Sequence, residues 1–162
     1  MNPKQFSICL AALLALACAT PPETDPGAVA ATYAAAGRWN EAAREIDLAV
    51  RAHPRDVELR RQAAHIYAEA GNPDRAVDHL EAAIELAPRN AASWLDLGEI
   101  ERGRENVTDA YVAYRRASEL APDDIRAVSG LALTADSLGF EDEARGAYAR
   151  WAELERGDDA GN

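Results

Sequence analysis

Residues 34 apart repeat one another along most of this chain, and no other feature restricts its possible folds as strongly. Pro54, Pro88 and Pro122 keep that interval, and so do Ala42, Ala76, Ala110 and Ala144. Ala49, Ala83 and Ala117 follow it with Trp151 in the fourth place, while Gly37, Gly71 and Gly139 keep the interval or its double. A fixed period of this length means supersecondary units stacked in series, because one such unit cannot bury its own apolar face.

Each unit reads as two helices. In the unit around residue 60, Asp56 is placed to cap a helix running to about Ala70, with Leu59, Ala63, Ile66 and Tyr67 at helical spacing. Gly71-Asn72-Pro73 breaks it, with Asn72 as the next cap and Pro73 suited to a first helical turn. Ala76, Val77, Leu80, Ala83, Ile84 and Leu86 form the apolar stripe of the second helix; Pro88 stops it and Asn90 caps the next helix. Alanines at the crossings let backbones approach closely, and Leu, Ile and Tyr fill the space beside them.

The unit from Ala91 to Asp124 carries Trp94, Leu97 and Gly98 as W-x-x-L-G, then Ala110, Tyr114, Ala117 and Pro122, and so resembles a tetratricopeptide repeat almost throughout. The resemblance implies an all-α fold, an α-solenoid of four stacked helix-turn-helix repeats in a right-handed superhelix. Its register is 23–56, 57–90, 91–124 and 125–158, leaving 159–162 as an acidic tail too short for a helix. Several positions depart from the pattern. The first helix of the first unit is expected to start near Gly27; Glu101 stands where the family usually has an aromatic; the inter-helix glycine of the third unit comes early, at Gly103; Arg156 replaces the last closing proline. Trp151 either folds over the end of the stack or marks a docking end there.

The segment before the repeats reads as an address. Ile8 to Ala17 is a ten-residue apolar run after Lys4, about half of what a bilayer span needs, so residues 1–17 are expected to be a signal peptide. Ala15-Leu16-Ala17 suits the general signal peptidase, and with Cys18 it resembles a bacterial lipobox, although Ala15 stands where Leu is usual. Residues 18–26 then form a lipidated Cys18 and a Pro-rich tether. The implied location is the cell envelope, lipid-anchored with the domain in the periplasm, at the outer membrane because Ala19 is not Asp; ordinary secretion is the alternative.

The 28 acidic and 17 basic residues give a net charge of −11, which argues against nucleic acid and against anionic membrane surfaces. Membrane attachment would therefore rest on the lipid. His53, His65 and His79 occupy three different repeat positions, and His65 with Glu69 is a solvated pair before it is a metal site. Nucleophile-elbow, phosphate-loop and HExxH motifs are missing from the sequence. Glu101 is expected to form a structural ion pair with a nearby Arg. No catalytic residue, cofactor or metal is expected.

The resemblance implies that first helices line a concave partner groove. Projected onto this chain, the groove carries Glu58, Arg61, His65 and Glu69, then Leu95, Glu99 and Arg102, then Arg126, Ser129, Leu133 and Asp136, with Ala31, Ala34 and Ala35 from the first unit. Its charges nearly cancel, and exposed Leu95 and Leu133 would suit a peptide with both charged and apolar side chains. The functional expectation is twofold: a non-catalytic adaptor holding protein or peptide partners, as in assembly of an envelope, pilus or secretion complex, or a structural subunit that self-associates or docks through its last repeat.

Overall fold

The computed structural model describes residues 27–160, with side-chain surroundings through residue 157. The expected signal peptide, Cys18 and tether lie outside the described residues. Among the described residues, eight helices pair into four hairpins: α1 (Ala28–Ala35) with α2 (Trp39–Ala52), α3 (Val57–Glu69) with α4 (Pro73–Leu86), α5 (Ala91–Gly103) with α6 (Val107–Leu120), and α7 (Ile125–Ser137) with α8 (Glu141–Ala160). Every helix packs on the next, and the first helices α3, α5 and α7 also touch in succession. This is a solenoid: each hairpin gains its core from its neighbours, as the 34-residue period requires.

The helix starts are chemically specified. Asp56 accepts from the Glu58 and Leu59 amides at 2.9 and 3.1 Å, Asn90 accepts from the Ser93 amide at 2.9 Å, and Asp124 accepts from the Arg126 amide at 2.9 Å. Asn72 accepts from the Arg75 amide at 3.4 Å, with Pro73 in the first turn. Each cap satisfies an amide that the helix leaves unpaired.

The periodic alanines lie where helices cross. Ala42, Ala76 and Ala110 are fully buried and Ala144 nearly so; Ala83 and Ala117 are fully buried too. Ile46, Leu59, Leu80, Leu95 and Val128 fill the space between them. One apolar cluster joins the first two hairpins; two smaller ones, around Tyr114 and Tyr111, hold the third and fourth.

Between the helices of each hairpin the chain reverses through one residue with positive φ. Gly37, Gly71 and Gly139 hold it at +69°, +77° and +76°, and Glu105 holds it at +64°. The reversal in the third hairpin is therefore at Glu105, not at the early Gly103, which is the last residue of α5. The period puts the reversal at residue 105 whatever its side chain. At the other end, α8 runs to Ala160, so the expected tail starting at residue 159 is helical over its first two residues. Without the closing proline nothing stops the helix where its three predecessors stop.

Candidate functional site

Most of the residues expected to line a groove lie on three first helices. On α3, Glu58, Arg61, His65 and Glu69 follow one another at three- and four-residue steps and share one face. Their charges are largely used among themselves. Arg61 donates from Nη1 to Glu58 at 2.8 Å and from Nε to Asp96 Oδ2 at 2.7 Å. Arg126 on α7 lies 3.5 Å from Glu99 on α5. Arg102 donates to the Tyr114 hydroxyl at 3.3 Å, Ser129 donates to the Arg126 carbonyl at 3.2 Å, and Tyr148 donates to Asp136 at 3.4 Å. Leu133 is 47% exposed.

Leu95 must be corrected. It is 2% exposed and belongs to the cluster of Ala110, Tyr114, Ala117 and Ala127, so it presents no surface to a partner. Its position one turn into α5 faces the next hairpin, where apolar bulk is gained from burial.

The residue that the sequence reading missed is Asp96. It is 2% exposed on α5, accepts from Arg61, and sees the His65 Nε2 at 3.6 Å. Burial pushes the Asp96 carboxyl up, but His65 and Arg61 outweigh it and hold the group below its ordinary value. The same contact raises the pKa of His65 against the lowering effect of its partial burial. The signal available was an acid on a first helix one repeat beyond an Arg, a 35-residue spacing rather than an i,i+4 pair. Beside this triad, Ala31, Ala34, Trp39, Gln62, His65, Ile66 and Glu69 line a mainly apolar recess of about 280 Å³ between the first two hairpins. Ala31 and Ala34 were expected on this face; Trp39 and Ile66 were not.

Glu101 is an ion pair, as expected: it is 5% exposed and accepts from Arg104 at 2.9 Å and from the Asn106 amide at 2.8 Å. Arg104 also reaches Asp74 at 2.6 Å, tying the second hairpin to the third. His65 turns toward Asp96 rather than sharing a metal with Glu69, and no group of three or more metal-ligating side chains occurs among the described residues. Trp151 is half-buried and stacks on Tyr148 with ring centroids 6.2 Å apart; its indole Nε1 is buried with no hydrogen-bond partner among the described residues. Among the described residues, no helix is long and apolar enough to cross a membrane.

Comparison with known proteins agrees with this architecture. Residues 61–125 match the family model for the tetratricopeptide repeat. The chain is 32% identical over 73 residues to the peroxisomal targeting signal receptor of Komagataella phaffii, covering 45% of this chain and 13% of the receptor. It is 36% identical over 90 residues to superkiller complex protein 3 of Mus musculus, covering 56% of this chain and 6% of that protein. The matches thus span only a small part of these relatives. Among solved structures, a crystal structure of MamA superposes with a TM-score of 0.73 at 25% identity, covering 80% of this chain and 75% of that one. MamA from Desulfovibrio magneticus RS-1, residue 41 to its end, has the same fold: a TM-score of 0.73 at 21% identity over 85% and 79% of the two chains. Residues 61–125 are thus similar to the tetratricopeptide repeat, and the described chain shares the helical solenoid of MamA.

Proposed function

We propose that the protein is a non-catalytic adaptor that holds protein or peptide partners along the face formed by its first helices, tethered to a bacterial envelope membrane through a lipid on Cys18. The observation that carries the reading is the combination on that face of an apolar recess, about 280 Å³ around Trp39 and Ile66, with the exposed Leu133 and side chains already paired in charge. Such a face offers apolar anchors within a neutral polar rim, which suits an extended or helical segment better than a small charged ligand. The receptor among its relatives is named for recognising a targeting signal, which supports a peptide-binding role. The anchor would place this face near the membrane, where an envelope, pilus or secretion complex assembles.

Affinity capture from envelope extracts tests both halves. Native protein should retain specific partners, and Leu133→Asp, a surface change, should lose them without altering the melting temperature. Cys18→Ser should leave the membrane fraction. Equal capture by native protein and Leu133→Asp refutes the groove, and a membrane-bound Cys18→Ser refutes the anchor.

A second reading has its own support: the last hairpin exposes Phe140 and Tyr148 and buries the Trp151 Nε1 unpaired, features suited to self-association or docking at that end. Light scattering separates them, since an oligomer dispersed by Trp151→Asp belongs to the second reading alone.

A further inference from the structure

Residues 34 apart meet equivalent neighbours in stacked hairpins, so one junction shows what another lacks. Where the first hairpin meets the second, the corner between second helices is filled. Tyr67 stacks on His79 with centroids 5.4 Å apart, and the Arg75 guanidinium lies 4.0 Å from the centre of the Tyr67 ring. The same guanidinium pairs with Asp47 at 3.3 Å. Where the third hairpin meets the fourth, the residues in the places of Asp47 and Arg75 are Arg115 and Glu143, again opposite in charge. Both meet the Tyr111 hydroxyl, which donates to Glu143 at 2.6 Å and accepts from Arg115 at 3.4 Å.

The middle junction alone breaks this opposition of charge. Glu81 and Asp109 replace Asp47 and Arg75, Glu101 replaces Tyr67, and Ala113 replaces His79. Glu101 turns to Arg104 and Asn106, and Ala113 is too small to fill the corner. What remains is a recess of about 240 Å³ walled by Trp94, Leu97, Val112, Ala113 and the Arg104-paired Glu101, with Glu81 and Asp109 at its rim. Both rim residues are exposed, and among the described residues neither carboxylate has an ion-pair or hydrogen-bond partner. The indole of Trp94 has its polar edge satisfied by the Pro88 carbonyl at 3.0 Å, so its contribution to the wall is hydrocarbon and π-face. Val112 beside it is 47% exposed.

We propose that this recess docks an arginine side chain from a segment of a partner protein, its guanidinium taking in trans the place that Arg75 holds in cis one junction earlier. Two carboxylates with no counter-charge beside an indole wall call for a cation that can stack and donate to several acceptors at once. A planar guanidinium does both, whereas an ammonium presents only a point charge. Leu97 and Val112 would cover an apolar residue next to the arginine. Its acidic rim lies on the second helices α4 and α6 and its indole wall on α5, and none of these residues is among those expected to line the first-helix groove.

The full ¹⁵N-labelled chain, titrated with N-acetyl-leucyl-arginine amide, tests this through its three indole N–H signals. The Trp94 signal should shift saturably while Trp39 and Trp151 stay in place. N-acetyl-leucyl-citrulline amide, equal in shape but uncharged, should bind about tenfold more weakly, and Glu81→Gln with Asp109→Asn should weaken the arginine probe about equally. Asp109→Arg rebuilds the internal pair seen at the first junction and should abolish the shift while raising the melting temperature. Both substituted positions are exposed, and circular dichroism verifies that the variants fold. An unmoved Trp94 signal, equal binding of the citrulline probe, or undiminished binding to the neutralised variant each overturns the proposal. A shift confined to Trp39, beside the groove recess, overturns it while leaving the groove reading intact.

Discussion

At residue 105 a glutamate occupies the left-handed backbone conformation that glycine occupies in the other three hairpins, at φ +64°. A Cβ in that region crowds the neighbouring carbonyl, which costs an L-residue roughly 1–2 kcal/mol. Glu105→Gly should therefore stabilise the chain, by about 0.5–1 kcal/mol once the greater freedom of glycine in the unfolded chain is deducted, read as a higher urea midpoint at unchanged slope. Glycine matters in the opposite sense around Tyr114. A Cβ at Gly130 would sit 2.4 Å from the Tyr114 ring and one at Gly98 would sit 2.8 Å from it, so two first helices clasp the ring from either side. Gly130→Ala should cost about 1–3 kcal/mol by overpacking, despite the better helix propensity of alanine, and a thermal melt would show the loss. Gly98 was legible as part of W-x-x-L-G; Gly130 was not, because its role depends on a side chain 16 positions earlier that only the fold brings against it.

At the scale of the helix, the contact between α3 and α5 rests on a buried carboxylate. Arg61 and His65 both face Asp96, and the shifts of His65 and Asp96 have opposite signs. His65 titrates above its ordinary 6.5, so its contribution is complete below that pH and disappears as pH rises through the raised value. Asp96 titrates below its ordinary 3.8, so its contribution is present above that pH and disappears as pH falls through the lowered value. The contact is strongest between those limits. Stabilities from urea unfolding at pH 5.5 and pH 8 should differ by less than about 1 kcal/mol, because the His65 ring is more than half exposed, and His65→Gln should remove this part of the difference. Removing the arginine is more serious. Arg61→Ala strips a buried acid of its closest counter-charge and should destabilise by about 3 kcal/mol, whereas Asp96→Asn keeps an acceptor for Arg61 and should cost less. Helix identity and capping were readable from local chemistry, since Asp56, Asn72 and Asn90 act on amides two or three residues away. This pairing was not, since its partners are 35 residues apart and each is an ordinary helix residue.

Over the whole molecule, the array divides at its middle. The first two hairpins share one apolar cluster, onto which Leu97 and Ile100 of the third also pack, while separate clusters hold the third and fourth. The middle junction relies more on polar bridges than its neighbours do: Arg61 to Asp96, and Arg104 to Asp74. In a linear array each interface sets the coupling between adjoining units. Arg61→Ala combined with Arg104→Ala should therefore separate the halves, so that hydrogen exchange reports two opening free energies where the parent shows closer cooperation. The unfilled recess at Glu81 and Asp109 lies at this same junction, which therefore has room for an outside side chain.

The repeat length, the helical hairpin and the buried alanines were all decided within the chain's linear order. A recurring spacing needs no knowledge of long-range contacts, and small residues at every crossing serve any pair of helices that approach closely. Folding alone decided the rest: that Leu95 turns inward, that Asp96 gathers Arg61 and His65, that Glu105 bears the strained turn, and that one corner of the stack stays hollow. Each depends on which side chains from neighbouring hairpins arrive at the same point, and that is settled by the packing of units, whose surfaces differ even where their period does not.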